Sequence, residues 1–176
     1  MIERVSDLDL HFSKMIVGLR LHPRLRTILK FFVRIGDGWF WIPVVCCIFL
    51  EKSLPDFVEI TRHCLTALGI SLSFYWLLKR TVRRLRPFQR LPAATAELSP
   101  LDQFSFPSGH TMNNLAIGLV IGHYFPLLLW PMVLLPIMWG LFRVHFGLHF
   151  VSDILAGGLL AVFSFELSRL ILAKRL

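Results

Sequence analysis

Acidic residues are scarce in this chain. It holds 11 Asp and Glu against 19 Lys and Arg, a net charge of +8, and charged residues make up only 17% of the sequence. A basic chain can bind nucleic acid, but these basic residues flank apolar runs and form no continuous face with interleaved aromatic residues. The pattern therefore excludes a nucleic-acid partner and favours positive flanks on membrane helices.

Cysteines are also few, and all three lie in apolar segments, at Cys46, Cys47 and Cys64. Such residues are packing residues rather than a disulfide framework or a metal site. The sequence contains no internal repeat and no low-complexity tract. Its start has no basic region followed by an apolar stretch and a cleavage site, so we expect no removable signal peptide.

Apolar residues, by contrast, are abundant. Hydrophobic residues make up 55% of the chain, 16 of its residues are Phe, and the mean hydropathy is +0.64. This composition predicts an integral membrane protein and not a soluble globule. We expect an all-α fold in one domain, residues 1–176, with an amphipathic segment at 1–24 and a transmembrane bundle at 27–176.

The first residues have the pattern of an amphipathic helix. Apolar residues recur at steps of three and four, while charged residues occupy the other positions. Because it carries many charges, this helix should lie on the membrane surface rather than cross it. The apolar positions are Val5, Leu8, Phe12, Met15, Ile16 and Leu19.

About five membrane spans follow, with six as the alternative. Each is close to the ~20 residues needed to cross the hydrocarbon core. Gly36-Asp37-Gly38 interrupts the first span, and the one long loop, 88–107, is expected to form an exposed cap over a site. Because successive spans alternate in direction, three polar clusters should meet at one membrane face. The predicted spans are 27–50, 57–78, 108–125, 127–146 and 150–173.

The densest polar cluster contains His149 and Asp153. Their spacing would place them on one face of a helix, with about 5–6 Å between the Cβ atoms. The carboxylate could take the ring N–H and leave the other nitrogen free to attack or to accept a proton. Taken alone, the pair also fits a hydrogen-bond network at a helix end. Charged and polar residues at a membrane edge, however, mark a functional site by default.

A second cluster begins another helix. In Pro107-Ser108-Gly109-His110, unpaired backbone N–H groups can bind an anion and His110 can donate or accept a proton. A simple N-cap is the alternative for this turn alone. Together with the positive charges of Lys79, Arg86 and Arg143, the clusters predict phosphoryl transfer without a metal or other cofactor.

The sequence resembles the type 2 phosphatidic acid phosphatase (PAP2) family, which shares its site pattern with vanadium haloperoxidases and glucose-6-phosphatase. The resemblance covers residues 79–157 and rests on three motifs. They are Lys79 with Arg86-Pro87 after six residues; Pro107-Ser108-Gly109-His110; and Arg143 with His149 after five residues and Asp153 after three more.

The resemblance implies a role for each motif residue. His149 would be the nucleophile that forms a phosphohistidine, Asp153 would orient it, and His110 would be the acid for the leaving alcohol. The phosphate would be held by Lys79, Arg86, Ser108, Gly109 and Arg143.

Two features of the third motif depart from the family. Phe142 stands where a Ser usually precedes the arginine, which removes a hydroxyl from the phosphate pocket. His145 is an additional histidine, and we expect it to lie behind the site or at the membrane interface.

The leading functional prediction is a lipid phosphate phosphatase acting on a phosphomonoester such as phosphatidic acid, phosphatidylglycerol phosphate or lipid A 1-phosphate. Undecaprenyl diphosphate is the alternative substrate, since it would use the same residues, and halide oxidation is disfavoured. From other classes, the chain could bind anionic headgroups without catalysis. It could also be a metal hydrolase with His145, His149 and Asp153 as ligands.

The resemblance also implies a location in a bacterial inner membrane, with the site facing the periplasm. The expected partners are the bilayer and a phospholipid or lipid-linked phosphate. The positive-inside rule alone would place the Arg-rich face in the cytoplasm.

Overall fold

The computed structural model describes residues 2–17, 19–91, 97–100 and 102–173, with side chains from Asp7 onward. All regular elements in these residues are helical, which confirms the predicted all-α class. The α-helices are α1 (Ile2–Val17), α2 (Pro23–Ile35), α3 (Trp41–Glu51), α4 (Leu54–Val82), α5 (Pro87–Arg90), α6 (Gly109–Tyr124), α7 (Leu129–His145) and α8 (Val151–Ala173), with a 3₁₀ turn at Pro126–Leu128.

Two helical stretches are long and apolar enough to cross a membrane, Pro126–His145 and Val151–Ala173. The predicted first span is not one helix, because Gly36 to Phe40 form a turn between α2 and α3. The five-span count therefore stays a prediction.

Helix α1 turns its apolar side away from the bundle. Leu8, Phe12 and Met15 are each more than half exposed, whereas Asp9 and Ser13 are buried. Exposed apolar rows of this kind are rare on soluble monomers and favour contact with lipid. The helix is thus amphipathic, with the polar side chains of Asp9 and Ser13 against the bundle, and its position on the membrane surface stays a prediction.

Helix α6 lies at the centre of the bundle and packs against α4, α7 and α8. Small residues allow the close approach: a Cβ on Gly157 would lie 2.9 Å from the carbonyl oxygen of Ser108. Ala116 and Ala161 are fully buried in the same contact. The start of α6 is thereby held beside the start of α8.

Two sharp turns bring the polar segments that follow α4 and α7 to the end of the bundle where α6 and α8 begin. Arg83 ends α4 with a left-handed φ of 48°, so the following residues turn back over the bundle. Gly147 has φ 70° between α7 and α8, where a side chain would be strained. The second turn places His149 just before α8.

The segment before α6 is not the exposed cap that the sequence predicts. Leu98 and Ser105 are buried. Asp102 and the carbonyl oxygen of Phe104 both contact Lys79 of α4, and Asp102 also contacts Arg86 in the turn that follows α4. Burial is favourable because the oxygens of this segment satisfy buried positive charges. Residues 92–96 and 101, which complete the predicted cap, lie outside the described residues.

Candidate active site

A cavity of about 280 Å³ opens at the end of the bundle where α6 and α8 begin. Of the predicted site residues, the structure brings together around it Arg86, Gly109, His110, Arg143 and His149. Its other polar lining residues are Asp37, Tyr75, Asp102, Asn113 and Asn114. Lys79, Ser108 and Asp153, all of them described residues, lie outside this lining.

His149 is buried, and its Nδ1 lies 2.8 Å from the carbonyl oxygen of Ser105. A carbonyl can only accept, so Nδ1 carries the hydrogen and Nε2 keeps its lone pair. Burial lowers the pKa of His149 well below its ordinary value, although the hydrogen bond and the charge of Asp153 act in the opposite direction. The ring is therefore a neutral imidazole with an unprotonated Nε2.

Asp153 lies 3.6 Å from Nδ1 of His149, through its Oδ2. The same Oδ2 accepts a hydrogen bond of 2.8 Å from the backbone N–H of Phe150, at the start of α8. The prediction that both residues share one helix face is wrong, because α8 begins at Val151, after His149. His149 and Asp153 meet because the first turn of α8 holds the carboxylate of Asp153 against the loop that carries His149.

His110 lies on the first turn of α6, where its Nε2 contacts the carboxylate of Asp37 and the guanidinium of Arg143. A carboxylate can only accept, so a protonated Nε2 would donate to Asp37, whereas the guanidinium of Arg143 can only donate and faces the same nitrogen. Arg143 Nη1 also lies 3.3 Å from Asp37 Oδ1. Ser108 caps α6, and its Oγ accepts from the N–H of Thr111 at 3.5 Å.

The two cations of the first motif share one carboxylate, that of Asp102. Lys79 Nζ lies 2.9 Å from its Oδ1 and Arg86 Nη2 lies 2.8 Å from the same atom. Burial alone would raise the pKa of Asp102, but the hydrogen bonds from Tyr75 and Lys79 and the two positive charges outweigh it and lower the pKa. Asp102 therefore stays ionised, and Lys79 contacts the lining of the cavity through Asp102 and through the ring of Tyr75, whose centroid is 5.3 Å from Nζ.

Arg86 also connects to the nucleophile loop. Its Nη1 donates to the carbonyl oxygen of Leu148 at 2.7 Å, one residue before His149. The side chain is almost fully buried, so this bond and the Asp102 pair are made away from water.

Phe142 and His145 face away from this cavity. Phe142 packs edge-on against Phe32, with 5.9 Å between ring centroids. The side chain at position 142, where the family usually has a Ser hydroxyl, is therefore directed at α2. His145 Nδ1 donates to the carbonyl oxygen of Ile16 at 2.9 Å, beneath α1. The alternative metal ligands thus do not converge, and no group of three or more candidate metal ligands occurs among the described residues.

The residues that the sequence prediction missed are Asp37, Tyr75, Asp102 and Ser105. Asp37 could have been found, because it is a lone acid within an apolar run and the argument that singled out the third motif applies to it equally. Asp102 and Ser105 lie in a polar loop, where nothing in the local pattern distinguishes them from neighbouring residues.

An apolar helical bundle with a buried cluster of histidines, arginines and carboxylates at one end fits a membrane enzyme that acts on phosphate groups. Comparison with known proteins agrees. The family model described as "PAP2 superfamily" matches residues 61–176, and the chain belongs to this family. This confirms the resemblance drawn from the three motifs.

Individual relatives and structures are similar as well. Phosphatidylglycerophosphatase B of Bacillus subtilis (strain 168) is 28% identical over 182 residues, covering 90% of this chain and 82% of the relative. The bacitracin transport permease protein BcrC of Bacillus licheniformis is 26% identical over 136 residues, 62% of this chain and 67% of the relative.

Two crystal structures share the fold. LpxE of Aquifex aeolicus has a TM-score of 0.76 and 25% identity, over 92% of this chain and 94% of that one. A transmembrane PAP2 type phosphatidylglycerolphosphate phosphatase from Bacillus subtilis has a TM-score of 0.72 and 26% identity, over 97% and 87% of the two chains. The chain is therefore a PAP2-type membrane phosphatase.

Proposed function

We propose that the protein hydrolyses a lipid phosphomonoester through a phosphohistidine on His149, without a metal. The observation that carries the proposal is the bond from Nδ1 of His149 to the Ser105 carbonyl, since it leaves Nε2 as the nucleophilic lone pair at the cavity. Arg86, Arg143 and the helix-start amides at Gly109 supply positive charge around the same space.

The reaction has two displacements. Nε2 of His149 attacks phosphorus, the bond from phosphorus to the lipid oxygen breaks, and His110 gives its proton to that oxygen. Water then attacks the phosphohistidine, His110 takes a proton from the water, and inorganic phosphate leaves as the N–P bond breaks. Asp153 supports the ring, while Lys79 and Ser108 stabilise the walls of the phosphate site.

The relatives' names and the surroundings of the cavity support the proposed substrate class. One relative is a phosphatidylglycerophosphatase and one fold neighbour a phosphatidylglycerolphosphate phosphatase, which favours phosphatidylglycerol phosphate among the lipid monophosphates. Leu68 and Ile117 add apolar surface to the cavity, suited to the acyl end of a lipid. We further propose five spans in a bacterial inner membrane, with the site facing the periplasm.

The decisive experiment compares wild type with His149→Ala in detergent micelles that contain phosphatidylglycerol phosphate. Wild type should release phosphate and, when quenched during turnover with ³²P-labelled substrate, carry acid-labile, base-stable label. The variant should show neither while unfolding at a similar temperature. Residual activity above a few per cent would contradict the nucleophile assignment.

Parallel assays with phosphatidic acid, lipid A 1-phosphate and undecaprenyl diphosphate test the substrate class, and faster turnover of the diphosphate would overturn the monoester proposal.

A further inference from the structure

Arg84 is a variable position within the first motif and not one of its defining residues, yet it reaches His149 by two routes. Through the backbone, its carbonyl oxygen accepts from the N–H of Ser105 at 2.8 Å, and the Ser105 carbonyl in turn accepts from Nδ1 of His149. Through the side chain, its Nη1 donates to Oδ1 of Asp153 at 2.7 Å. Both routes end at the non-attacking side of the His149 ring.

The other half of the guanidinium binds helix α1. Arg84 Nη2 donates to Oδ2 of Asp9 at 2.5 Å, and the side chain of Asp9 is 7% exposed. Asp9 also accepts from the N–H of Ser152 at 2.9 Å and from its hydroxyl at 2.7 Å. Ser13, one turn later in α1, accepts from the N–H of Val151 at 3.1 Å.

Helix α1 thus caps helix α8. The first N–H groups of a helix have no partner within it, and here two of them bind side chains of Asp9 and Ser13. Asp153 takes a third from Phe150. The orientation of the Asp153 carboxylate therefore depends on the N-terminal helix α1 as well as on α8, the helix that carries Asp153.

An arginine between two buried carboxylates is sensitive to the loss of either one. Charge-assisted bonds at this depth are strong, and removing one partner leaves a buried charge uncompensated. The guanidinium also stacks on Phe150, 3.9 Å from the ring centroid, which restricts its rotation. If Asp9 is neutral, Arg84 loses one anchor, and its bond to Oδ1 of Asp153 is no longer held in place from the other side, while Oδ2 keeps its bond to the N–H of Phe150.

We propose that Arg84 and Asp9 are positioning residues for the His149–Asp153 pair, so that helix α1 forms part of the active site. The inference rests on the proposed function, because it assumes that His149 is the nucleophile. It adds a requirement that the three motifs do not contain, namely an N-terminal carboxylate paired with the arginine two residues before Arg86.

The test uses the full chain in detergent and four single variants. Asp9→Asn and Arg84→Gln remove the two charges of the network. Asp7→Asn and Arg80→Gln remove the same charges from exposed positions on α1 and α4, and they serve as matched controls. The measured quantities are kcat and KM for phosphatidylglycerol phosphate, Ki for inorganic phosphate and the unfolding temperature.

We expect Asp9→Asn and Arg84→Gln to lower kcat on the order of 10- to 100-fold, since small displacements of a reacting group have effects of this size. KM and the phosphate Ki should change by no more than about twofold, because neither side chain lines the cavity. Arg84→Lys should recover part of the lost kcat, and the two controls should match wild type.

The double variant Asp9→Asn with Arg84→Gln separates a coupled pair from two independent effects. A coupled network predicts a loss in kcat no larger than that of Arg84→Gln alone. Losses that multiply, or a kcat within twofold of the controls in folded protein, would overturn the inference. Should Arg84→Gln fail to fold, Asp9→Asn decides the question alone.

The two proposals fail in different ways. If His149→Ala stays active, the proposed function fails whatever the network variants do. If His149→Ala is inactive while Asp9→Asn and Arg84→Gln turn over like wild type, only the positioning inference fails.

Discussion

The carbonyl oxygen of Ser105 lies closer to Nδ1 of His149 than the carboxylate of Asp153 does, 2.8 Å against 3.6 Å. A backbone oxygen therefore determines which ring nitrogen carries the proton. Asp153 contributes negative charge and holds the start of α8, and it stabilises the positive charge that develops on the ring during attack.

The separate roles of the Ser105 carbonyl and the Asp153 carboxylate determine the expected effect of Asp153→Asn. The Ser105 carbonyl preserves the tautomer, so the variant loses mainly the negative charge and the pair with Arg84. We expect kcat to fall on the order of 10²-fold, whereas the loss from a wrong tautomer would approach 10⁴-fold. Steady-state kinetics on phosphatidylglycerol phosphate measure the effect, and a rate near wild type would show that the carboxylate has no role in turnover.

His110→Ala should have an effect that depends on the leaving group. The alkoxide of a lipid monophosphate is strongly basic and needs a proton, so general-acid help of typically 10²- to 10⁴-fold is lost. The leaving groups of undecaprenyl diphosphate and p-nitrophenyl phosphate are weaker bases and need less help. We expect kcat/KM to fall most on the lipid monophosphate, and a uniform loss over all three substrates would assign His110 to phosphate binding.

Asp37→Asn should separate anion binding from proton transfer. The carboxylate contacts both His110 and Arg143, so it favours a protonated His110 but repels an incoming phosphate. In the variant, the Ki for inorganic phosphate should fall severalfold, while kcat on the lipid monophosphate falls more than kcat on p-nitrophenyl phosphate. Asp7→Asn is the control for a lost surface charge, and an unchanged phosphate Ki would show that Asp37 does not face the anion.

The lowered pKa of His149 predicts how stability depends on pH. An imidazole in the unfolded chain binds a proton below its ordinary pKa of about 6.5, whereas the buried ring does not. Its contribution to stability is therefore complete above that pH and is lost as the pH falls, by about 2 kcal/mol between about pH 6.5 and about pH 5.

Thermal unfolding of His149→Gln checks this sign, because glutamine has no such proton site. The unfolding temperature of wild type should drop more than that of the variant between about pH 7.5 and about pH 5. Equal drops in the two proteins would mean that His149 is protonated in the folded state.

The sequence by itself determined the family and the membrane class. The three motifs depend on residue types at short spacings, and these can be read without a structure because the residues of each motif lie within one short stretch of the chain. The helical pattern of α1 and the apolar runs of α7 and α8 were equally local, since periodicity within one element decides them.

Only the tertiary structure decided which partners complete the site. Asp37 meets His110 across 73 residues, and Ser105 meets His149 across 44 residues. Contacts of this kind depend on how helices pack and where turns such as that at Gly147 direct the chain, which no local period encodes. Asp9 shows the difference most clearly: its spacing in α1 fits any solvent-exposed acid, and only its packing against Arg84 and the start of α8 makes it part of the active-site network.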